Sequence, residues 1–172
     1  MVQSHSVQGW EQILDTMIGL TRLTNLQRVM TAGDDGTELY LELRRRGFLR
    51  VASVATCRIP RRQHTIGLIA GRESTEAVES ALTGISPFLC ASATIAVLID
   101  SKASNSSLRI RNKLQQMGFQ IEAGVRCPQG LVLSAYRQGL SQKDLSQKDF
   151  NQKGFNQKGF NQKGFNQLEK AA

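Results

Sequence analysis

Apolar side chains recur along this chain with two periods, and the switches between them outline its elements. Trp10, Ile13, Leu14, Met17, Ile18 and Thr21 fall at i, i+3, i+4, i+7, i+8 and i+11, one stripe of an α-helix, with Glu11 and Asp15 off it. Residues 1–9 carry no such pattern and are expected to form a flexible N-terminus. Gln27 to Ala32 is short and β-prone. Gly33-Asp34-Asp35-Gly36 is a turn in which both glycines are free of φ restriction. Thr37 to Arg46 then puts Leu39, Leu43 and Tyr40 on one helical stripe, and Gly47 stands where a helix C-terminal glycine belongs. Leu49 to Thr56 reads as a second strand.

The same alternation of periods continues. Thr65 to Ala70 is an apolar run of strand length that ends at Gly71. From Ser74, the residues Ala77, Val78, Ala81, Leu82 and Ile85 make a helical face, with Glu73 and Glu76 suited to its N-terminus. Pro87 ends that helix by Ser86. Ala93 to Ile99 is the most apolar strand, closed by Asp100. Leu108, Ile110, Leu114 and Met117 mark a further helix, capped by Gly118. Phe119 to Arg126 alternates, with Phe119, Ile121, Ala123 and Val125 on one side. Cys127-Pro128-Gln129-Gly130 fits a β-turn, and Leu131 to Tyr136 returns as a strand.

Strand, glycine turn, helix and strand over residues 26–56 make a βαβ unit, which prescribes parallel strands and a crevice at their C-terminal ends. The expected fold is α/β: a Rossmann-like, mostly parallel sheet over residues 10–137, closed by an antiparallel hairpin. The competing topology returns the 65–70 strand antiparallel.

Beyond residue 137 the pattern stops. From Leu140 a five-residue unit repeats as LSQKD and then FNQKG. A period of five turns the apolar residue by about 140° per repeat on a helix, so no stripe forms. A pentapeptide β-helix wants a small inward residue two before each Phe, where this chain has Lys153 and Lys158. The polar, Lys- and Gly-rich composition makes 138–172 a low-complexity tail expected to be disordered. A working tail would be a basic-aromatic arm, its lysines on phosphates and its Phe on bases.

Composition sharpens this division. Before residue 140 the basic residues are arginines except Lys102 and Lys113; after it they are all lysines. The net charge is +8. Arg44-Arg45-Arg46 with Arg50, and Arg58 with Arg61-Arg62, would give weak, non-specific nucleic-acid binding or simply a solvated face. Cys57, Cys90 and Cys127 are odd in number and lack C-x-x-C spacing, so neither a disulfide framework nor a metal site is expected. The N-terminus has no basic and apolar signal regions, and no run approaches the roughly 18 apolar residues of a span. A cytoplasmic protein without a membrane partner is expected. His64, alone at a strand start, reads as structural. Cys57 beside Arg58 is the one cysteine placed to favour a thiolate, but no companion histidine can be assigned to it.

Residues 10–137 resemble a shortened class I S-adenosylmethionine-dependent methyltransferase domain. The resemblance rests on Val29-Met30-Thr31-Ala32-Gly33-Asp34-Asp35-Gly36, similar to that family's apolar strand, glycine motif and helix. It rests also on the ending: an apolar strand to Asp100, a helix to Gly118-Phe119 and the hairpin 120–136. It implies S-adenosylmethionine as cofactor, held around Gly33, Asp34, Gly36, Thr56, Cys57 and Gly71, and methyl transfer as the activity. The departures leave both a retained and a lost catalytic activity open. Asp35 stands at the second glycine position and Gly36 is displaced by one. Ala55-Thr56-Cys57 offers no acid for a ribose, and Gly71-Arg72-Glu73 carries no methyl-transfer motif. A non-enzymatic basic module binding nucleic acid or a protein is the alternative.

The family's third strand and its flanking helices are missing. Only residues 57–64 then cross from the second strand to the next. The diagonal is roughly 22 Å, and eight extended residues reach about 26 Å, so no helix fits. A sheet face or edge is left uncovered there, where a protein partner or a second copy could pair.

Overall fold

The computed structural model describes residues 4–55, 60–71, 74–100 and 105–138, and of 4–8 and 100 the backbone alone. The compact unit runs from Met1 to Gly139. The repeat tail, Thr56 and Cys57 lie outside the described residues.

The elements are α1 (Ser4–Thr21), β1 (Val29–Ala32), α2 (Gly36–Arg45), β2 (Val51–Ser53), β3 (His64–Ala70), α3 (Thr75–Ile85), β4 (Leu89–Asp100), α4 (Ser106–Gln116), β5 (Phe119–Cys127) and β6 (Gly130–Arg137). They build one six-stranded sheet in the order β2-β1-β3-β4-β6-β5. The first four strands of that order are parallel, and β6 and β5 close it antiparallel. Val29 pairs with Ile66 and Ala32 with Ile69 in a parallel ladder, so the antiparallel return of the 65–70 strand is excluded.

The apolar stripes of the helices face two cores, one on each side of the sheet. Trp10, Ile13, Leu14 and Met17 of α1 and Leu39 and Leu43 of α2 pack on Val29, Ile66, Leu68 and Val132. On the other face Val78, Leu82 and Ile85 of α3 and Ile110 and Leu114 of α4 pack on Met30, Ile69, Ile95 and Leu133. Alternate residues of β1, β3, β4 and β6 supply each core, which is why these strands are apolar throughout.

Four local expectations change. Helix α1 begins at Ser4, so it reaches back into the 1–9 stretch expected to be flexible. The strand expected over Leu49 to Thr56 keeps only Val51–Ser53, and Leu49 is exposed. β2 is an outer strand with β1 as its one neighbour, and short outer strands are usual. Leu108 leaves the helical stripe and is exposed; Ile110 and Leu114 bury that face. The alternation of β5 breaks at a bulge between Ile121 and Ala123. Phe119 and Ile121 therefore face the α3/α4 core, whereas Cys127 reaches the α1/α2 core.

Residues 54–63 carry the chain from β2 past β1 to β3, and the described parts, 54–55 and 60–63, hold no helix. The N–H groups of Arg62 and Gln63 donate to the carbonyls of Pro87 and Phe88, each at 3.1 Å. The crossing thus docks where α3 turns into β4.

Candidate functional site

Short connections bring the C-terminal ends of β1, β3 and β4 to one edge with the N-termini of α2, α3 and α4. Chain order reverses there: β2 lies on one side of β1 and β3 on the other. In an open α/β sheet such a reversal opens the binding crevice.

Gly33 has φ +95°, which any side chain would strain. A Cβ there would collide with the Ala70 carbonyl, its carbon 2.9 Å away. The Asp35 N–H donates to that same Ala70 oxygen at 3.2 Å, and the Gly36 N–H donates to Gly33 at 2.9 Å. The turn is thus pinned to the end of β3. The space beside Gly33, expected to admit a ligand, holds the chain's own backbone. Gly36 is buried, and a Cβ there would make only ordinary contact with Thr31. At Gly71 a Cβ would lie 3.2 Å from Val78 and 3.6 Å from the Asp34 Oδ2. Asp34 is exposed and overlies Gly71. Gly33, Asp34, Gly36 and Gly71 therefore meet at one place.

Two features give that place its chemistry. The N-cap residue Asp35 makes no side-chain capping bond to α2, so beyond Gly36, whose N–H donates to Gly33, the first turn presents backbone N–H groups at the edge. Helix α3, by contrast, is capped by the Ser74 hydroxyl, which accepts from the Ala77 N–H at 3.1 Å. An uncapped helix N-terminus favours an anion, and the Asp34 carboxylate beside it favours a cation. Together they suit a zwitterion such as an amino acid. The described end of β2, Ser53-Val54-Ala55, has no carboxylate for a ribose.

The sequence did not disclose how α3 and α4 are joined at this edge. The Thr75 and Ser106 hydroxyls lie 2.7 Å apart. Arg109 grips Glu76 at 2.6 Å and Glu79 at 3.0 Å, and this hydrogen bonding holds the Glu76 carboxyl below its usual range. Hydroxyl residues clustered at two helix starts were the available signal.

Other candidates fall elsewhere. Trp10 is 7% exposed and belongs to the core. His64 is buried at the opposite edge, its Nδ1 3.3 Å from the Phe88 carbonyl. Burial, and then the charge of Arg28, push its pKa down. A groove of about 720 Å³ also opens at that opposite edge, lined by Thr21, Arg22, Thr94, Tyr136 and neighbours. It is remote from the crevice.

No protein-family model matches the chain, and no curated protein matches it. Solved structures do. A precorrin-6y C5,15-methyltransferase from Geobacter metallireducens is 10% identical, with 74% of this chain and 88% of that one covered at a TM-score of 0.52. Magnesium protoporphyrin IX methyltransferase from Synechocystis, solved with bound S-adenosylmethionine, is 14% identical over 76% of this chain and 80% of that one, at 0.51. A candidate hemolysin from Lactococcus lactis is 14% identical over 80% and 94%, at 0.52. The fold is thus the Rossmann-like fold of class I S-adenosylmethionine-dependent methyltransferases. At these identities the likeness is one of fold alone.

Proposed function

We propose that this methyltransferase-like domain binds S-adenosylmethionine and S-adenosylhomocysteine at the crevice between β1 and β3, and that it has lost methyl transfer. The observation that carries the binding is the pairing of the uncapped α2 N-terminus with the exposed Asp34 over Gly71. The α2 N–H groups would take the ligand's carboxylate, and Asp34 would face its sulfonium charge. Gly33 acts indirectly, by shaping the turn against Ala70. Thr56 and Cys57 follow the end of β2 and belong to the same proposed site by their place in the chain. The loss of transfer rests on the departures: Asp35 in place of a glycine, no acid at the described end of β2, and the lean Gly71-Arg72-Glu73 connection.

Calorimetric titration of the full chain with both ligands tests this. Both are expected to bind. The cationic S-adenosylmethionine is expected to bind about two- to fivefold tighter, the range of one exposed charge pair. Asp34→Asn should remove that preference. Binding of neither ligand would overturn the cofactor assignment. Conversion of S-adenosylmethionine to S-adenosylhomocysteine above the spontaneous rate would overturn the loss of transfer.

A further inference from the structure

The edge opposite the crevice gathers arginines that the sequence scatters. Arg28 precedes β1, Arg50 precedes β2, and Arg61 and Arg62 precede β3; Arg44 lies in the last turn of α2. Hydrogen bonds string them into one row. The Arg44 Nη1 donates to the Leu49 carbonyl at 2.7 Å, and the Arg50 Nη1 donates to the Leu26 carbonyl at 3.1 Å. The Arg28 Nη1 donates to the Gln63 side chain, next to Arg62. The strand register sets Arg28 beside Arg50 and Thr65.

These acceptors are neutral oxygens, so the row keeps its charge. Arg61 and Arg62 are exposed and have no carboxylate partner among the described residues. Arg45 and Arg46 of the same helix differ, being tied to Glu42 and Asp15. Between the cations stand Leu26, 77% exposed, and Leu49, 72% exposed, the two most exposed large apolar side chains described.

We infer that this edge is a docking surface for an anionic lipid bilayer. Clustered arginines concentrate at negatively charged headgroups. Two protruding leucines among them gain only if a non-aqueous phase lies beneath those headgroups. A nucleic acid would satisfy the arginines and leave the leucines in water, and it would want exposed aromatic side chains to stack on. No large aromatic side chain is among the strongly exposed apolar residues described. No helix among the described residues is long and apolar enough to cross a membrane, so the contact is peripheral. The row lies at the far edge from the crevice and is independent of the cofactor assignment.

Sedimentation of the full chain with vesicles tests the surface. Vesicles of phosphatidylcholine alone are compared with vesicles that also contain phosphatidylglycerol. Binding is expected only to the mixed vesicles, weakening as salt is raised. The triple variant Arg28→Gln, Arg50→Gln, Arg62→Gln should lose at least tenfold in partitioning. The double variant Leu26→Ser, Leu49→Ser should also bind vesicles more weakly while binding a single-stranded oligonucleotide no differently from wild type. Thermal melts of both variants confirm that they remain folded. Equal binding to both vesicle types, or wild-type binding by the triple variant, would overturn the inference. So would an arginine-dependent affinity for the oligonucleotide that exceeds the affinity for mixed vesicles and ignores the leucines.

Discussion

Gly33 and Gly47 separate conformational strain from steric conflict. Both have positive φ, +95° and +89°. Around Gly47 no atom lies within 4 Å of an added Cβ, whereas at Gly33 the Ala70 carbonyl occupies that place. Gly47→Ala should therefore cost about 1 kcal/mol, from strain alone. Gly33→Ala should cost about 3 kcal/mol or more, since backbone must shift as well. Urea denaturation midpoints measure the difference, and equal losses would refute the contact. The sequence disclosed that both glycines end or begin an element. It could not disclose which atoms fill the space beside them, because Ala70 is distant in the chain. His64 gives a second test. Unfolded, its ring titrates at about 6.5; folded, burial and Arg28 hold it lower. Between those values the unfolded chain binds more protons, so stability is complete above about 6.5 and falls as pH drops toward the folded value. His64→Gln should flatten that part of the pH–stability curve.

Among the elements, those with a strong one-sided pattern were legible: α1, α2, α3 and the apolar β3 and β4. β2 was overextended because β-prone residues continue past Ser53, while strand length depends on neighbours. The β5 alternation was read as one face because a bulge leaves no mark in the spacing of apolar residues. The β2 edge yields a test by proline. The Val29 N–H donates to Arg50, and the Val54 N–H donates to Thr31. By alternation Ala52 also bonds β1, whereas Val51 and Ser53 direct their N–H groups outward. Val51→Pro is expected to melt within a few degrees of wild type, and Ala52→Pro well below it. The reverse order would show that β2 is paired on its other side. At α3, Ser74→Ala removes the cap and should cost about 1 kcal/mol.

At the scale of the whole molecule, order and connection lengths carried the fold. A β-α series ending in a hairpin leaves few topologies, and only residues 54–63 separate β2 from β3. The meeting of strand ends and helix starts at one edge was legible for the same reason. Thr56 and Cys57 lie outside the described residues. Arg44 with Arg50 and Arg61 with Arg62 stood out in the sequence, but Arg28 and the joining of all four segments into one row did not, because strand register sets it. Because the compact unit ends at Gly139, a chain stopped there should melt within a few degrees of the full one. A loss of many degrees would mean that residues 140–172 stabilise the fold. The central claim is that an adenosyl ligand sits at the β1–β3 crevice. Amide chemical-shift mapping during titration with S-adenosylhomocysteine tests it most directly. Saturable shifts are predicted at Gly33 to Glu38 and at Gly71. Shifts centred instead on the groove around Thr94 and Tyr136, or none at all, would contradict it.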